Sequence, residues 1–381
     1  MSQTQALSKD QAVILKRPRT EKDLFIEHWV KHDHQWPKGF PETDPMAYLF
    51  ARSKSLRRTK SNTSLNTLSE SNLRGAKSSP YSNKKCEVLL EASGGFMKRH
   101  ENGVSSSNRT LCQELLEKKP DIPKGTKFDD NVFEATCERI QRKNEIAIIR
   151  KIADLIVPLA ENAIDLGFVK SKHLVESVNE AWNNSIPFDE TQQLSLRYAQ
   201  SRKLTLPQPQ PDYAVGFSRQ AFTDDQLCKS APFLGGVDDT SFFMGTAYMY
   251  FPFFTSEVKC GKSALDIADR QNAHSMTLAV RGVVELFKLV KREQELHREI
   301  LAFSMSHDHR MVRIYGHYPI IDGEKTFYYR HSIHEFSFIA LDGKERWTSY
   351  RFTLSVYNDW VPSHFERLCS AIDDLPKDIS F

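Results

Sequence analysis

A chain of 381 residues and 43.9 kDa holds enough polypeptide for two average domains or one large domain with a tail, and its mean hydropathy of −0.50 places part of it outside any core. No run approaches the roughly 18 apolar residues of a membrane span, and the opening MSQTQALSKDQAVILKRPR lacks a secretory apolar stretch, so a soluble intracellular protein, nuclear or cytoplasmic and without a membrane partner, is expected. A net charge of +3 confines any nucleic-acid surface to a local patch, and six cysteines without a C-x-x-C pair argue against a zinc site or a disulfide framework.

Residues 1–20 read as a loose tail. Residues 21–50 carry Phe25, Trp29, Trp36, Phe40, Tyr48 and Phe50, too many aromatics for free coil, and are expected to dock on the main domain or on a protein partner. Residues 51–78 belong to a stretch rich in Lys, Arg, Ser, Thr and Asn with Glu70 as its single acid, the composition of a disordered basic linker. Lys16-Arg-Pro-Arg19 and Arg57-Arg-Thr-Lys60 are similar to short nuclear-import signals.

The main domain is expected over 79–381. The apolar spacing from Val132 to Ile152 predicts a helix over 129–153, with Asp129 or Asp130 as N-cap, and further helices are predicted at 171–183 and 189–203. Leu-Pro-Gln-Pro-Gln-Pro then breaks the chain and launches a short strand from Asp212 to Phe217. An aromatic strand follows within 248–260, its regular part expected after Pro252. The longest periodic segment, 263–296, predicts a helix of about 48 Å. Two strands flank the polar turn His307-Asp-His-Arg310, which reads as a solvated hairpin, another strand covers 326–339, and 345–375 closes the chain as helix. The order implies an α/β or α+β domain with a mixed sheet flanked by helices.

Chemistry is expected where Asp212 opens one strand and Glu257-Val-Lys259 ends another. Alternation puts Thr255, Glu257 and Lys259 on one face and Phe254, Ser256, Val258 and Cys260 on the other. Two carboxylates and a lysine at one sheet edge suit Mg²⁺ (or Mn²⁺) and a phosphate, with the lysine orienting or deprotonating the attacking water. Cys260 is expected to point into the core, and Lys288, Lys291, Arg292 and Arg298 to form a solvated basic run that could also meet phosphates.

These residues resemble the PD-(D/E)XK nuclease superfamily, whose core is a helix, a mixed sheet bearing the Asp and the Glu-x-Lys, a long helix and a further strand. A closer resemblance, to an uncharacterised fungal domain family of that superfamily, is carried by Val175-Glu-Ser-Val-Asn-Glu-Ala-Trp-Asn-Asn184, Pro209-Gln-Pro-Asp-Tyr213, Glu257-Val-Lys-Cys-Gly261, Leu265-Asp-Ile-Ala-Asp-Arg-Gln-Asn-Ala-His-Ser275 and Ile314-Tyr-Gly-His-Tyr-Pro319. It implies a metal-dependent nuclease with Asp212 and Glu257 as metal ligands and Lys259 as the catalytic lysine. The acid that completes the site is expected to be Glu145, with Glu138 and Glu176 as alternatives. Gln271, twelve residues beyond Lys259, stands where the exonuclease-like branch places a glutamine, although Ser275 replaces that branch's tyrosine. The 44 residues between Asp212 and Glu257 exceed the superfamily's usual spacing, so the resemblance implies an insertion over 218–245, helical around 224–229. The alternatives are a catalytically silent module of the same fold that binds nucleic acid or protein, and an adaptor acting through residues 21–50.

Overall fold

The computed structural model describes residues 80–188, 206–234, 239–260 and 264–376. The expectations for 1–20, 21–50 and 51–78, and for a helix at 189–203, lie outside the described residues. Those described all belong to one unit, Arg57–Phe381.

Seven strands form one mixed sheet in the order β1-β7-β6-β5-β4-β3-β2. They are β1 (Gly95–Phe96), β2 (Leu174–Val178), β3 (Tyr213–Phe217), β4 (Tyr250–Val258), β5 (Ala302–His307), β6 (Met311–Asp322) and β7 (Lys325–Ser337). Strand β4 is antiparallel to β3 and parallel to β5, and β1 joins β7 in parallel; the other pairings are antiparallel. A parallel pair needs a crossover, supplied between β4 and β5 by the 26-residue helix Ala264–Leu289. The expected longer helix stops there, and Glu293–Leu296 forms a separate 3₁₀ turn.

The helices used below are α1 (Lys85–Ala92), α2 (Ser106–Glu117), α3 (Asp130–Ile140), α4 (Glu145–Ile148), α5 (Ala160–Asp165), α6 (Asp224–Leu234), α7 (Ala264–Leu289), α8 (Thr348–Ser355) and α9 (Val361–Asp373). The helix expected over 129–153 divides at 141–144. Asp129 holds the N-cap position of α3, but its carboxylate turns back to accept from the Gly125 N–H and the Thr126 hydroxyl. Asn144 caps α4 by accepting from the Ala147 N–H at 3.0 Å. The expected helix at 171–183 is instead the edge strand β2 with its flanking loops. The insertion is helical, as α6. Strand β4 starts before Pro252, with Phe251 in the left-handed region at φ 43°.

Alternating side chains of β4 bury the sheet between two helical layers. Phe254 meets the Tyr357 ring, and its β5 neighbour Phe303 meets Phe352 and Trp360, which fixes the α8–α9 layer on one face. On the other face Thr255 donates to Asn272 Oδ1 of α7 at 2.8 Å, while Asn272 Nδ2 donates to the Met305 carbonyl and Ser306 Oγ. Asn272 thus pins the crossover helix to both parallel strands from a fully buried position. Farther along α7, Gly282 lies so close to the insertion that a Cβ would sit 2.2 Å from the Phe242 carbonyl oxygen.

Replacing Asn272 by Ala orphans several buried polar groups and should destabilise the domain by about 2–4 kcal/mol in urea unfolding. Thr255→Val, which removes a single donor, should cost about 1–2 kcal/mol. Equal, negligible losses in both variants would show that this network does not fasten the helix.

Candidate functional site

The site forms where β3 begins and β4 ends. Asp212 precedes β3, and its Oδ2 accepts from the Val258 N–H at 2.9 Å, so the antiparallel pairing itself aims the carboxylate at the end of β4. Beyond β4, the Lys259 N–H donates to the His307 carbonyl at 3.0 Å, which extends the parallel pairing with β5 by one residue. From that anchored backbone the Lys259 side chain folds back, and Nζ donates to the Val258 carbonyl at 2.9 Å.

Three carboxylates surround this ammonium: Glu257 Oε2 at 3.4 Å, Glu145 Oε1 at 3.5 Å and Asp212 Oδ2 at 3.6 Å. Lys259 is 4%, Glu257 1% and Asp212 5% exposed, so the charges interact with little screening by water. Burial works against the ammonium, but Asp212, Glu257 and Glu145 outweigh it and raise its pKa well above the ordinary 10.5. The three carboxylates thus favour the charged form of Lys259, which stands among them as an ammonium and hydrogen-bond donor.

The structure brings Asp212, Glu257, Lys259 and Glu145 together, and of the three candidate acids it places Glu145 beside the lysine. Glu145, the first residue of α4, reaches the lysine because the Asn144 cap fixes where that helix starts. Glu138 lies exposed on α3. Glu176 on β2 accepts the Tyr213 hydroxyl at 2.9 Å and the Glu161 N–H instead, and burial raises its pKa. Gln271 is buried on α7 and makes no hydrogen bond to any of the four; its Oε1 has no partner among the described residues.

Two neighbours differ from their expectation, His307 and Cys260, and a third, Tyr81, carried none. His307, expected in a solvated turn, is fully buried, and Asp308 alone closes the turn by accepting from the Arg310 and Met311 N–H groups. Burial lowers the His307 pKa, against the opposing pull of Asp308 and Asp212. Tyr81, before α1, bonds His274 of α7 at 2.9 Å, and its hydroxyl pKa is raised by burial first, then by Cys86 and Glu257. Cys260 is half-buried rather than in the core; burial and then Glu145 push its thiol up to about 11, which leaves it inert as a nucleophile. The basic run near the end of α7 is committed elsewhere: Lys288 pairs with Glu285, and Arg292 with Glu295 and Asp374.

Among the described residues no three His, Cys, Asp or Glu side chains already stand at the spacing of a metal site. The cation at the centre of the carboxylates is the chain's own ammonium. The donor set nonetheless fits a hard divalent ion, because three carboxylates already converge on a single positive group.

Fold and site together define an α/β protein with a buried carboxylate–lysine centre at the end of its middle strands. Residues 132–372 match the family described as a domain of unknown function (DUF7924), and the chain belongs to that family. No curated protein and no solved structure matches the chain. None of the described helices is long and apolar enough to cross a membrane.

Lys259→Met leaves the acids facing one another without their ammonium and should cost about 3–5 kcal/mol at neutral pH in urea unfolding. The loss should shrink as acid protonates the carboxylates, and adding Glu257→Gln should recover part of it. In the native chain the raised lysine pKa sets the sign: its contribution is full below the unfolded value near 10.5 and is lost only as the pH climbs above it. A native stability that falls between pH 8 and 10 in parallel with the Lys259→Met difference would contradict this arrangement.

Proposed function

We propose that this protein is a Mg²⁺-dependent (or Mn²⁺-dependent) phosphodiesterase acting on nucleic acid, built on a core of the PD-(D/E)XK kind. The observation that carries the reading is the convergence of Glu145, Asp212 and Glu257 on Lys259 at one end of the parallel strand pair. Supporting it, the order of strand β3 behind Asp212, strand β4 ending in Glu-x-Lys, long helix and further strand is the one the resemblance implies.

Asp212, Glu257 and Glu145 are the groups that would hold the ion, which when bound lowers the pKa of a water and polarises a phosphoryl oxygen. Lys259, held as an ammonium among the acids, donates to the phosphate oxygens as their negative charge grows. The Val258 N–H holds the Asp212 carboxylate in one orientation throughout. Gln271, buried on the adjoining helix with an unpartnered amide oxygen, is a candidate to orient a water or a neighbouring ligand.

A second reading, a catalytically silent fold that binds nucleic acid or protein, is favoured by the burial of Asp212, Glu257 and Lys259, which also suits an internal ion cluster. Labelled DNA and RNA incubated with Mg²⁺, Mn²⁺ or chelator separate the two. The native chain should cut only with metal; Asp212→Asn and Glu257→Gln should abolish cutting and weaken metal binding in titration calorimetry. Lys259→Ala should lower kcat at least about 100-fold. A native chain that cuts neither polymer with either metal would be a binding module.

A further inference from the structure

At the far edge of the sheet from β2, the β1–β7 pair carries a second built surface. Phe96 and Tyr329 are register partners, and their rings stack in parallel at 4.7 Å, both half-buried. The His100 ring meets Tyr329 edge-on at 4.9 Å, and Lys98 Nζ stands 5.5 Å from the Phe96 centroid. Aromatic rings left partly open on the last strand of a sheet are therefore flanked directly by a cation.

The surrounding charge is positive and held without acid partners. Among the described residues no ion pair engages Lys98, Arg99 or Arg109, all exposed. Arg99 and Arg109 act together on His331 of β7, whose pKa is lowered by burial first and then by these two guanidinium groups. The acids in reach are Glu101 and Glu91, which border Tyr329.

Arg298 makes the surface rigid. It sits in the left-handed region at φ 66° and donates to the carbonyls of Asn102, Gly103 and Val104, while its own N–H bonds the Pro319 carbonyl of β6. A strained non-glycine residue persists where several bonds over-determine it. These bonds clamp the loop that carries Arg99 onto the sheet. Gly103 in that loop sits in the left-handed region at φ 59°, a conformation that favours glycine.

We infer that the face formed by Phe96, Tyr329, Lys98, Arg99 and Arg109 binds an unpaired stretch of nucleic acid. Open rings stack on bases that a duplex keeps inside its own stack, and unneutralised guanidinium groups beside them take the phosphates. The inference rests on the nucleic-acid reading above but not on cleavage. The elements before β2 that supply β1 and its loop lie ahead of the family match, so this face is joined to the family core by this chain's N-terminal helices and strand.

The test is fluorescence anisotropy with the full chain in chelator, using a labelled twenty-base dT strand, its U counterpart and a twenty-base-pair duplex. Native protein should bind the unpaired strands more tightly than the duplex. Arg99→Gln with Arg109→Gln, both exposed and safe for folding, should weaken strand binding about ten-fold or more and reduce the slope of log affinity against log salt by about 1.4, two phosphate contacts' worth. Tyr329→Ala should weaken binding with the salt slope unchanged, and Tyr329→Phe should restore it. Native-like binding by the double arginine variant, or a preference for duplex, overturns the inference and leaves the cleavage reading standing. A native chain that binds no strand, with Lys98 crosslinking to residues 21–50, gives the face to that segment instead. Intact strand binding without metal-dependent cutting sinks only the phosphodiesterase.

Discussion

The constraint on which the rest of this structure depends is the enclosure of one lysine charge. An ammonium removed from water is costly, and three carboxylates brought to 3.4–3.6 Å offset that cost only if their backbones are fixed. Each is fixed by a different device: β3–β4 pairing for Asp212, strand alternation for Glu257 and an asparagine-capped helix start for Glu145. Helix, sheet edge and crossover are tied to one another by that requirement. Asn272 then holds the crossover helix against the same two strands one step deeper in the sheet.

A centre of this kind is poised between structural and chemical use. The lysine stands among the three acids and offsets their mutual repulsion with its own charge. The same arrangement makes an incoming divalent ion and the ammonium compete for shared oxygens. On the proposed phosphodiesterase reading, activity depends on how readily the lysine's flexible four-carbon stem yields the centre while its charge stays within reach of a phosphate.

Much of this was legible in the sequence. Strand alternation put Thr255, Glu257 and Lys259 on one face, and the observed bonds of Thr255 to α7 and of Lys259 to Glu257 agree with it. Glu145 lies more than a hundred residues before the lysine, so no local pattern joins the two; the resemblance suggested it, and its reach follows from Asn144, the capping residue that fixes where its helix begins. Residues 171–183 misled because Leu174 and Val178 stand four apart, a spacing that both a helix and a strand place on one side. Pairing with β3, which sequence periodicity does not encode, decides for the strand. His307 was hidden by its polar neighbours, although only those neighbours face water. Asn272 was not singled out, although it stands four residues before Met276, the helical spacing that carries it onto the buried side of α7, where a polar group needs a partner.

The parallel seam between β1 and β7 also sets an order of events during synthesis. Met97 and Arg330, bonded across that seam, are 233 residues apart in the chain. At roughly 5–20 residues per second the ribosome delivers β7 about 10–50 s after β1. Through that interval β1, Phe96 and the loop with Arg99 have no sheet to join, while β2, β3 and β4 can already pair. The aromatic edge is thus the last piece of the sheet to close, and a nascent chain stalled before β7 exposes Phe96, still without Tyr329 to stack on, to whatever chaperone or polymer is nearby.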